Sequence, residues 1–316
     1  MSTNTECILC GSSDVMIDTS LRNNFKLAGC KKCNFRFASP RPDAQYLENY
    51  YNSIKNSRFY KHTQEQAIRL TKGLYQNILK YNPAANRILE IGCSTGYYLY
   101  GLKTRGYSVV GTEISEEAIS LGRRWYGIEL FKSEFPDERY LNSFDVIIIH
   151  HVIEHVLDPK LFLEKSEHFL SEKGIIILET PNFNSVGIKT FGAHYPVLCP
   201  PGHLNFFDIS TLNTIIPNET LVLCKRTLSR NKQTLRNIAI AIISFLKLKT
   251  IILIRFNKQR QKSSDSMQPK LNRKFLFDRP LLFLSKALQT LLFPLFFILD
   301  KRGLGENIEV IIKRVR

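Results

Sequence analysis

Three groups of residues in this chain of 316 have types and spacings that could do chemistry. The first is the run Leu89-Glu90-Ile91-Gly92-Cys93-Ser94-Thr95-Gly96-Tyr97, followed by Glu113, which lies 23 positions after Glu90. Glycines at 92 and 96 let a backbone pass close to a ligand, and an acid closing the next apolar run can accept hydrogen bonds from two ribose hydroxyls. The second is a pair of Cys-x-x-Cys knuckles, Cys7/Cys10 and Cys30/Cys33, with 19 residues between them. Two thiolates on each of two tight turns can close a tetrahedral four-sulfur site, the chemistry of a structural zinc. The third is a set of histidines, His150, His151, His155 and His203, which can take or give a proton near neutral pH.

The glycine run narrows its own ligand. No lysine follows the glycines, so a phosphate-gripping P-loop is excluded. A dinucleotide fingerprint needs glycine at the first, third and sixth places, which here hold Gly92, Ser94 and Tyr97. The remaining pattern, Glu-x-Gly-x-x-x-Gly with a later acid, suits a ligand with a ribose, an adenine and no phosphate; S-adenosylmethionine is one.

The elements that must position these groups read as an α/β sheet. Residues Arg87 to Ile91 form an apolar strand, Tyr97 to Thr104 a helix, and Ser108 to Gly111 a second strand ending towards the acid. The β-branched run Val146 to Ile149 reads as a buried parallel strand. His151-Val152-Ile153-Glu154-His155 matches the His-x-x-Glu-His of inverted zinc peptidases, but that motif lies within a helix, whereas this one ends a strand. Ahead of the sheet, Pro40 and Pro42 precede two predicted helices, Asp43 to Tyr51 and Thr63 to Tyr81.

Over residues 85 to 227 and the last ten, the chain resembles the class I S-adenosylmethionine-dependent methyltransferases. The likeness is carried by the glycine run, by 143–159 with its histidines, by Gly174 to Asn182, and by His203-Leu204-Asn205-Phe206-Phe207. Many relatives have glycine where this chain has Ser94, a residue small enough to keep the turn. The resemblance implies a Rossmann-like seven-stranded methyltransferase sheet preceded by a zinc ribbon. It implies that Glu90 anchors the loop and faces the methionine end, that Gly92, Ser94 and Gly96 contact the donor, and that Glu113 holds the ribose. Ile114 and Ser133 become adenine neighbours and His150 a neighbour of the methyl. His151 is the first choice of base, His203 the second, and His155 either a third or a turn-fixing residue. Some similar quinone-precursor enzymes use a divalent cation, which His151, Glu154 and His155 could hold. Similar ribbons precede the catalytic domain in sugar methyltransferases of surface-glycan assembly.

The charge is uneven. Residues 225–316 hold 21 Lys and Arg against 5 Asp and Glu, so the whole net charge of +16 lies there and the first 224 residues sum to zero. A neutral body disfavours a nucleic-acid-binding zinc protein. Leu235 to Phe256 and Pro280 to Leu299 are apolar, yet Lys247 and Lys249 sit mid-segment in the first, each costing about 2.5–3.5 kcal/mol at a bilayer centre. The segment therefore reads as a basic amphipathic helical insertion meeting an anionic membrane surface, or alternatively as helices covering the sheet or a dimer contact. No signal peptide is visible, and the seven cysteines do not form a disulfide framework, so a cytoplasmic protein, peripheral on the inner membrane face, is expected.

The expected organisation is a ribbon over 1–38, a helical bridge over 39–82, a methyltransferase domain over 83–234 and 301–316 closed by a strand Asn307 to Lys313, and the insertion over 235–300. The expected activity is methyl transfer from S-adenosylmethionine to a small or lipid-linked acceptor, a saccharide hydroxyl first and a lipid or quinone-type acceptor second. A membrane-bound scaffold that keeps the fold without catalysis is the reading from outside the enzymes.

Overall fold

The computed structural model describes residues 6–53, 62–229 and 294–315, with Thr234, Leu235, Asn237 and Ile238 besides. The insertion expected over 235–300 thus falls almost wholly outside the described residues. Among those described, no helix is long and apolar enough to cross a membrane.

The chain divides into two compact units. The first comprises residues 1–181, 200–226 and 308–316; the second comprises 182–199 and 227–307.

The first unit opens with three antiparallel strands, β1 (Val15–Ser20), β2 (Lys26–Cys30) and β3 (Arg36–Ser39). Helix α1 (Ala44–Ser53) follows, with the backbone N–H of Tyr46 donating to Asp43 at 2.8 Å. A single helix was expected over Thr63 to Tyr81; the structure has two, α2 (Gln64–Leu70) and α3 (Lys72–Tyr81). The break lies at Thr71, whose hydroxyl donates back to the Ala67 carbonyl at 2.7 Å and bends the ladder. The same side chain meets a neighbouring helix at Gly101, where an added Cβ would come within 2.2 Å of the Thr71 oxygen.

The main sheet then unfolds in order: β4 (Arg87–Ile91), α4 (Tyr97–Lys103), β5 (Ser108–Glu113), α5 (Glu116–Tyr126), β6 (Leu130–Lys132), β7 (Phe144–His150), α6 (Pro159–Glu167) and β8 (Leu170–Pro181). Ser115 and Asp158 cap α5 and α6 by accepting from backbone N–H groups, and Gly127 ends α5 at φ 60°. Strands β4 to β8 pair in parallel, with Glu90 opposite Gly111 and His150 opposite Glu179. In β7 residues Val146 to Ile149 are fully buried, as a parallel strand covered on both faces requires.

After β8 come α7 (Val186–Phe191) in the second unit, then β9 (Asn205–Phe206), α8 (Ile209–Asn213), β10 (Thr220–Leu228) and, at the far end of the chain, β11 (Asn307–Arg314). The seven-stranded order is β10-β11-β8-β7-β4-β5-β6. Arg314, at the end of β11, donates to the Leu170 carbonyl at the start of β8, so β11 runs against its parallel neighbours. Chain order reverses between β4 and β7, and in open α/β sheets that switch point, at the carboxyl ends of the strands, is where ligands bind.

The ribbon is not self-contained. Strand β9, from the loop after His203, joins β3 antiparallel with Phe37 opposite Asn205, giving a four-stranded sheet β1-β2-β3-β9. Phe35 and Phe207 pack at 5.2 Å between ring centroids, both fully buried. The boundary expected at residue 38 is therefore crossed by a strand pair and by core packing, and both sheets belong to one unit.

In the second unit, Asn182 donates to the carbonyls of Gly303 (3.0 Å) and Gly305 (2.7 Å), and buried Tyr195 donates to Glu306. Asp300 accepts from the Ser229 hydroxyl at 2.7 Å and from its N–H at 3.1 Å.

Candidate active site

The glycine run forms a turn of left-handed residues at the carboxyl end of β4: Gly92 (φ 69°), Ser94 (φ 54°) and Gly96 (φ 70°). A Cβ on Gly92 would lie 2.6 Å from Val152 Cγ2, so only glycine lets the turn approach the loop after β7. Ser94 occupies a left-handed conformation that glycine adopts without strain. Glu113 closes the turn. One of its oxygens accepts from Ser94 N–H at 2.8 Å, and the other from Ile114 and Ser115 N–H at 2.9 Å each. Ser133 lies after β6, its N–H donating to the Glu113 carbonyl at 3.2 Å, and Ile114 is exposed.

Glu90 lies beneath this turn, 3% exposed, with its Oε2 lacking a hydrogen-bond partner. Burial holds its carboxyl well above the usual carboxylate range, and the like charge of Glu113 adds to that. An orphaned carboxyl oxygen, a turn shaped by glycine and an acid at the next strand end fit a donor with an ammonium group and a ribose. The residues named from sequence for that ligand are thus brought to one strand edge.

The loop after β7 carries the histidines. His150 ends the strand, its ring edge-on to Tyr98 at 5.2 Å. His151 sits at φ 55°, unusual for a bulky residue and a mark of local strain. Its Nδ1 lies 3.1 Å from Glu154 and its Nε2 3.5 Å from Glu179, both carboxylates being 1% exposed. Burial disfavours the charged ring, but the hydrogen bonds and charges of the two glutamates outweigh it and push its pKa up to about 10. Burial also opposes ionisation of Glu154, yet His151, His155 and His203 bring it down to about 2. The Thr180 hydroxyl donates to the second oxygen of Glu154 at 2.9 Å. Two buried carboxylates thus favour the protonated ring of His151.

His155 is built differently. Its Nδ1 lies 2.6 Å from the Gly202 carbonyl, and a carbonyl only accepts, so Nδ1 carries the hydrogen and the lone pair of the neutral ring is on Nε2. Tyr51, from α1, approaches the same nitrogen at 3.3 Å. Nε2 lies 3.9 Å from Glu154, and the His203 ring stands edge-on to His155 at 4.8 Å between centroids. Ligating atoms of Glu154, His155 and His203 all lie within 4.8 Å of one another. A cation-capable group thus forms with His203 in place of His151. Glu179, Tyr51 and Thr180 were not singled out from sequence; Glu179 could have been, because it follows an apolar run, Ile175 to Leu178, near the end of β8.

In the ribbon, Cys7 lies 3.5 Å from Cys33 and Cys10 3.5 Å from Cys30, sulfur to sulfur. All four sulfurs fall within 4.8 Å of one another. Zinc–sulfur bonds of about 2.3 Å in a tetrahedron put sulfurs about 3.8 Å apart, so the four residues fit such an ion. Gly11 (φ 67°) and Asn34 (φ 61°), one residue past each knuckle, supply the left-handed turns.

The family described as methyltransferase domain matches residues 60–218, half of the 316. A ubiquinone biosynthesis O-methyltransferase of Chelativorans sp. (strain BNC1) is 32% identical over 117 residues, which is 34% of this chain and 46% of that protein. One of the same description from Caulobacter sp. (strain K31) is 29% identical over 126 residues, 37% of this chain and 50% of that protein. The chain thus spans about half the length of the curated relatives it matches. A SAM dependent methyltransferase from Archaeoglobus fulgidus has a solved structure that superposes with a TM-score of 0.42 at 16% identity, covering 86% of this chain and all of that one. With a family match over half its length and a seven-stranded sheet whose glycine turn closes on Glu113, the chain belongs to the class I S-adenosylmethionine-dependent methyltransferases.

Proposed function

We propose that the protein transfers the sulfonium methyl of S-adenosylmethionine to a hydroxyl of a small acceptor, with His155 Nε2 taking the proton. Glu90 faces the amino-acid end of the donor, the backbone of 92–96 supports it, and Glu113 holds the ribose diol, while Ile114 and Ser133 flank the adenine. The observation that carries the acceptor half is the tautomer of His155. Donation from Nδ1 to Gly202 O leaves Nε2 as a proton acceptor, with the Glu154 carboxylate 3.9 Å from it. The donor supplies the electrophilic methyl, and displacement at sulfur demands chiefly that acceptor oxygen and methyl be held in line. Val152, which packs on Gly92, joins the donor turn to the histidine loop. His203 lines the acceptor side, and His151 with Glu154 and Glu179 fixes the loop rather than accepting protons.

A saccharide hydroxyl is the acceptor this account favours, supported by the four-cysteine ribbon that precedes similar domains in sugar methyltransferases. A quinone-precursor phenol is the second reading, favoured by the activity named for the relatives. The +16 carried by 225–316 supports work at an anionic membrane surface on a lipid-linked acceptor. The four cysteines hold one structural zinc. The test is transfer of labelled methyl from the donor to a panel of nucleotide-linked sugars, polyprenyl-linked sugars and catechol-type quinone precursors. A product in either sugar class supports the first reading, product only with catechols supports the second, and donor binding without transfer to any hydroxyl acceptor contradicts both.

A further inference from the structure

One cation lies where the ribbon meets the histidine loops, and its hydrogen bonds all run to neutral oxygens. Arg41, between Pro40 and Pro42, donates to the carbonyls of Leu157 (2.6 Å), Val156 (3.3 Å) and Leu204 (3.4 Å) and to the side-chain oxygen of Asn205 (2.8 Å). Burial lowers its pKa to about 10, partly offset by the charge of Asp158. Asn205 completes the tie. Its amide donates to the carbonyls of Ile153 (3.0 Å) and Val156 (2.7 Å), while the N–H groups of Leu204 and Asn205 both donate to the Glu154 carbonyl. The two segments so joined are 153–157, which carries His155, and 203–205, which begins with His203.

Arg41 is itself fixed from the ribbon side. It follows β3 by two residues, and Ala38 N–H donates to the Leu204 carbonyl at 2.9 Å just before β3 pairs with β9. The planar guanidinium divides these contacts between its two terminal nitrogens, Nη2 facing Val156, Leu157 and Asn205 and Nη1 facing Leu204, a two-pronged reach that a lysine ammonium, a single point, does not reproduce.

We propose that Arg41 is a positioning residue that sets the spacing of His155 and His203, and that it couples the acceptor side of the site to the four-cysteine ribbon while leaving the donor turn alone. This rests on the reading of His155 as the proton acceptor, and the test keeps the two separable. In full-length protein carrying labelled histidine, the ring C–H resonances are recorded for wild type, Arg41→Met and Arg41→Lys, and S-adenosylhomocysteine binding is measured by calorimetry. Both variants are expected to move the His155 and His203 resonances and leave that of His168, which lies before β8. Affinity for S-adenosylhomocysteine stays within about twofold, as for independent sites. With an acceptor in hand, kcat falls while KM for the donor holds. Unmoved His155 and His203 resonances overturn the proposal, as does a His168 shift of equal size. Loss of fold in both variants also overturns it, by making Arg41 a core residue only. If wild type fails to bind S-adenosylhomocysteine, the functional reading falls, while the resonances still judge Arg41.

Discussion

Replacing His151 with glutamine tests the electrostatics of the site quantitatively. In the folded protein the ring pKa rises from 6.5 to about 10 between Glu154 and Glu179. That rise corresponds to roughly 5 kcal/mol, at about 1.4 kcal/mol per tenfold change in proton affinity. That figure is an upper bound, because 46% of the His151 side chain is open to solvent and screening weakens the pair. The glutamates are 1% exposed, and stranding them without their cation carries the larger penalty, so a loss of about 2–4 kcal/mol is expected. The sign in pH follows from linkage. A group whose pKa is raised on folding stabilises fully below its unfolded value, 6.5, and loses that contribution as pH climbs through 10. Glu154, brought from 4.5 to about 2, contributes above 4.5 and loses its share as pH falls through 2. Wild type should therefore exceed His151→Gln most at pH 5–6.5, with the gap closing towards pH 10, in urea melts followed by circular dichroism. A gap that is independent of pH, or a variant as stable as wild type at pH 6, would refute the assignment of a cation between two carboxylates.

Other outcomes follow from particular contacts. Ser94→Gly relieves a left-handed serine at φ 54° and should gain about 1 kcal/mol, read as a Tm rise of about 2 °C by calorimetry; an unchanged or lower Tm contradicts it. Gly92→Ala adds a Cβ 2.6 Å from Val152 at φ 69° and should weaken S-adenosylhomocysteine binding about tenfold or more, with wild-type affinity speaking against the turn as the donor's seat. Freshly purified protein should carry about one zinc per chain and Cys10→Ser none, by elemental analysis; metal-free wild type removes the ribbon ion. Once an acceptor is known, His155→Gln should lower kcat about 10²-fold and flatten the acid limb of the pH–rate profile, whereas an unaltered profile transfers the base role elsewhere.

Much of this architecture is legible in the sequence, for physical reasons that also mark where reading stops. The β-branched run in β7 and the acid-terminated β5 announce buried parallel strands, because few other structures bury four β-branched residues in succession. The glycines at 92 and 96 are readable because their φ values admit little else. What local patterns cannot carry is pairing between distant segments. Nothing in Asn205-Phe206 alone says that it completes a sheet with residues 36 and 37, so the ribbon reads as separate when it is not. The break at Thr71 comes from its hydroxyl turning back to Ala67 rather than from any breaker residue, and Arg41 reads as an ordinary basic residue between prolines. Among the histidines, spacing marks the group but not the roles. The proposed roles rest on Glu179 and the Gly202 carbonyl, 28 and 47 positions from the rings they approach.

Whether the turn at 92–96 with Glu113 seats the methyl donor is decided by calorimetric titration of S-adenosylhomocysteine into wild type and Glu113→Ala. Wild type should bind one molecule per chain. The variant loses the carboxylate that closes the turn on Ser94, Ile114 and Ser115, together with a charge-assisted hydrogen bond to the ribose worth roughly 1.5–3 kcal/mol, and should bind at least about tenfold more weakly. No binding by the wild-type protein, or equal binding by both, would place the donor elsewhere.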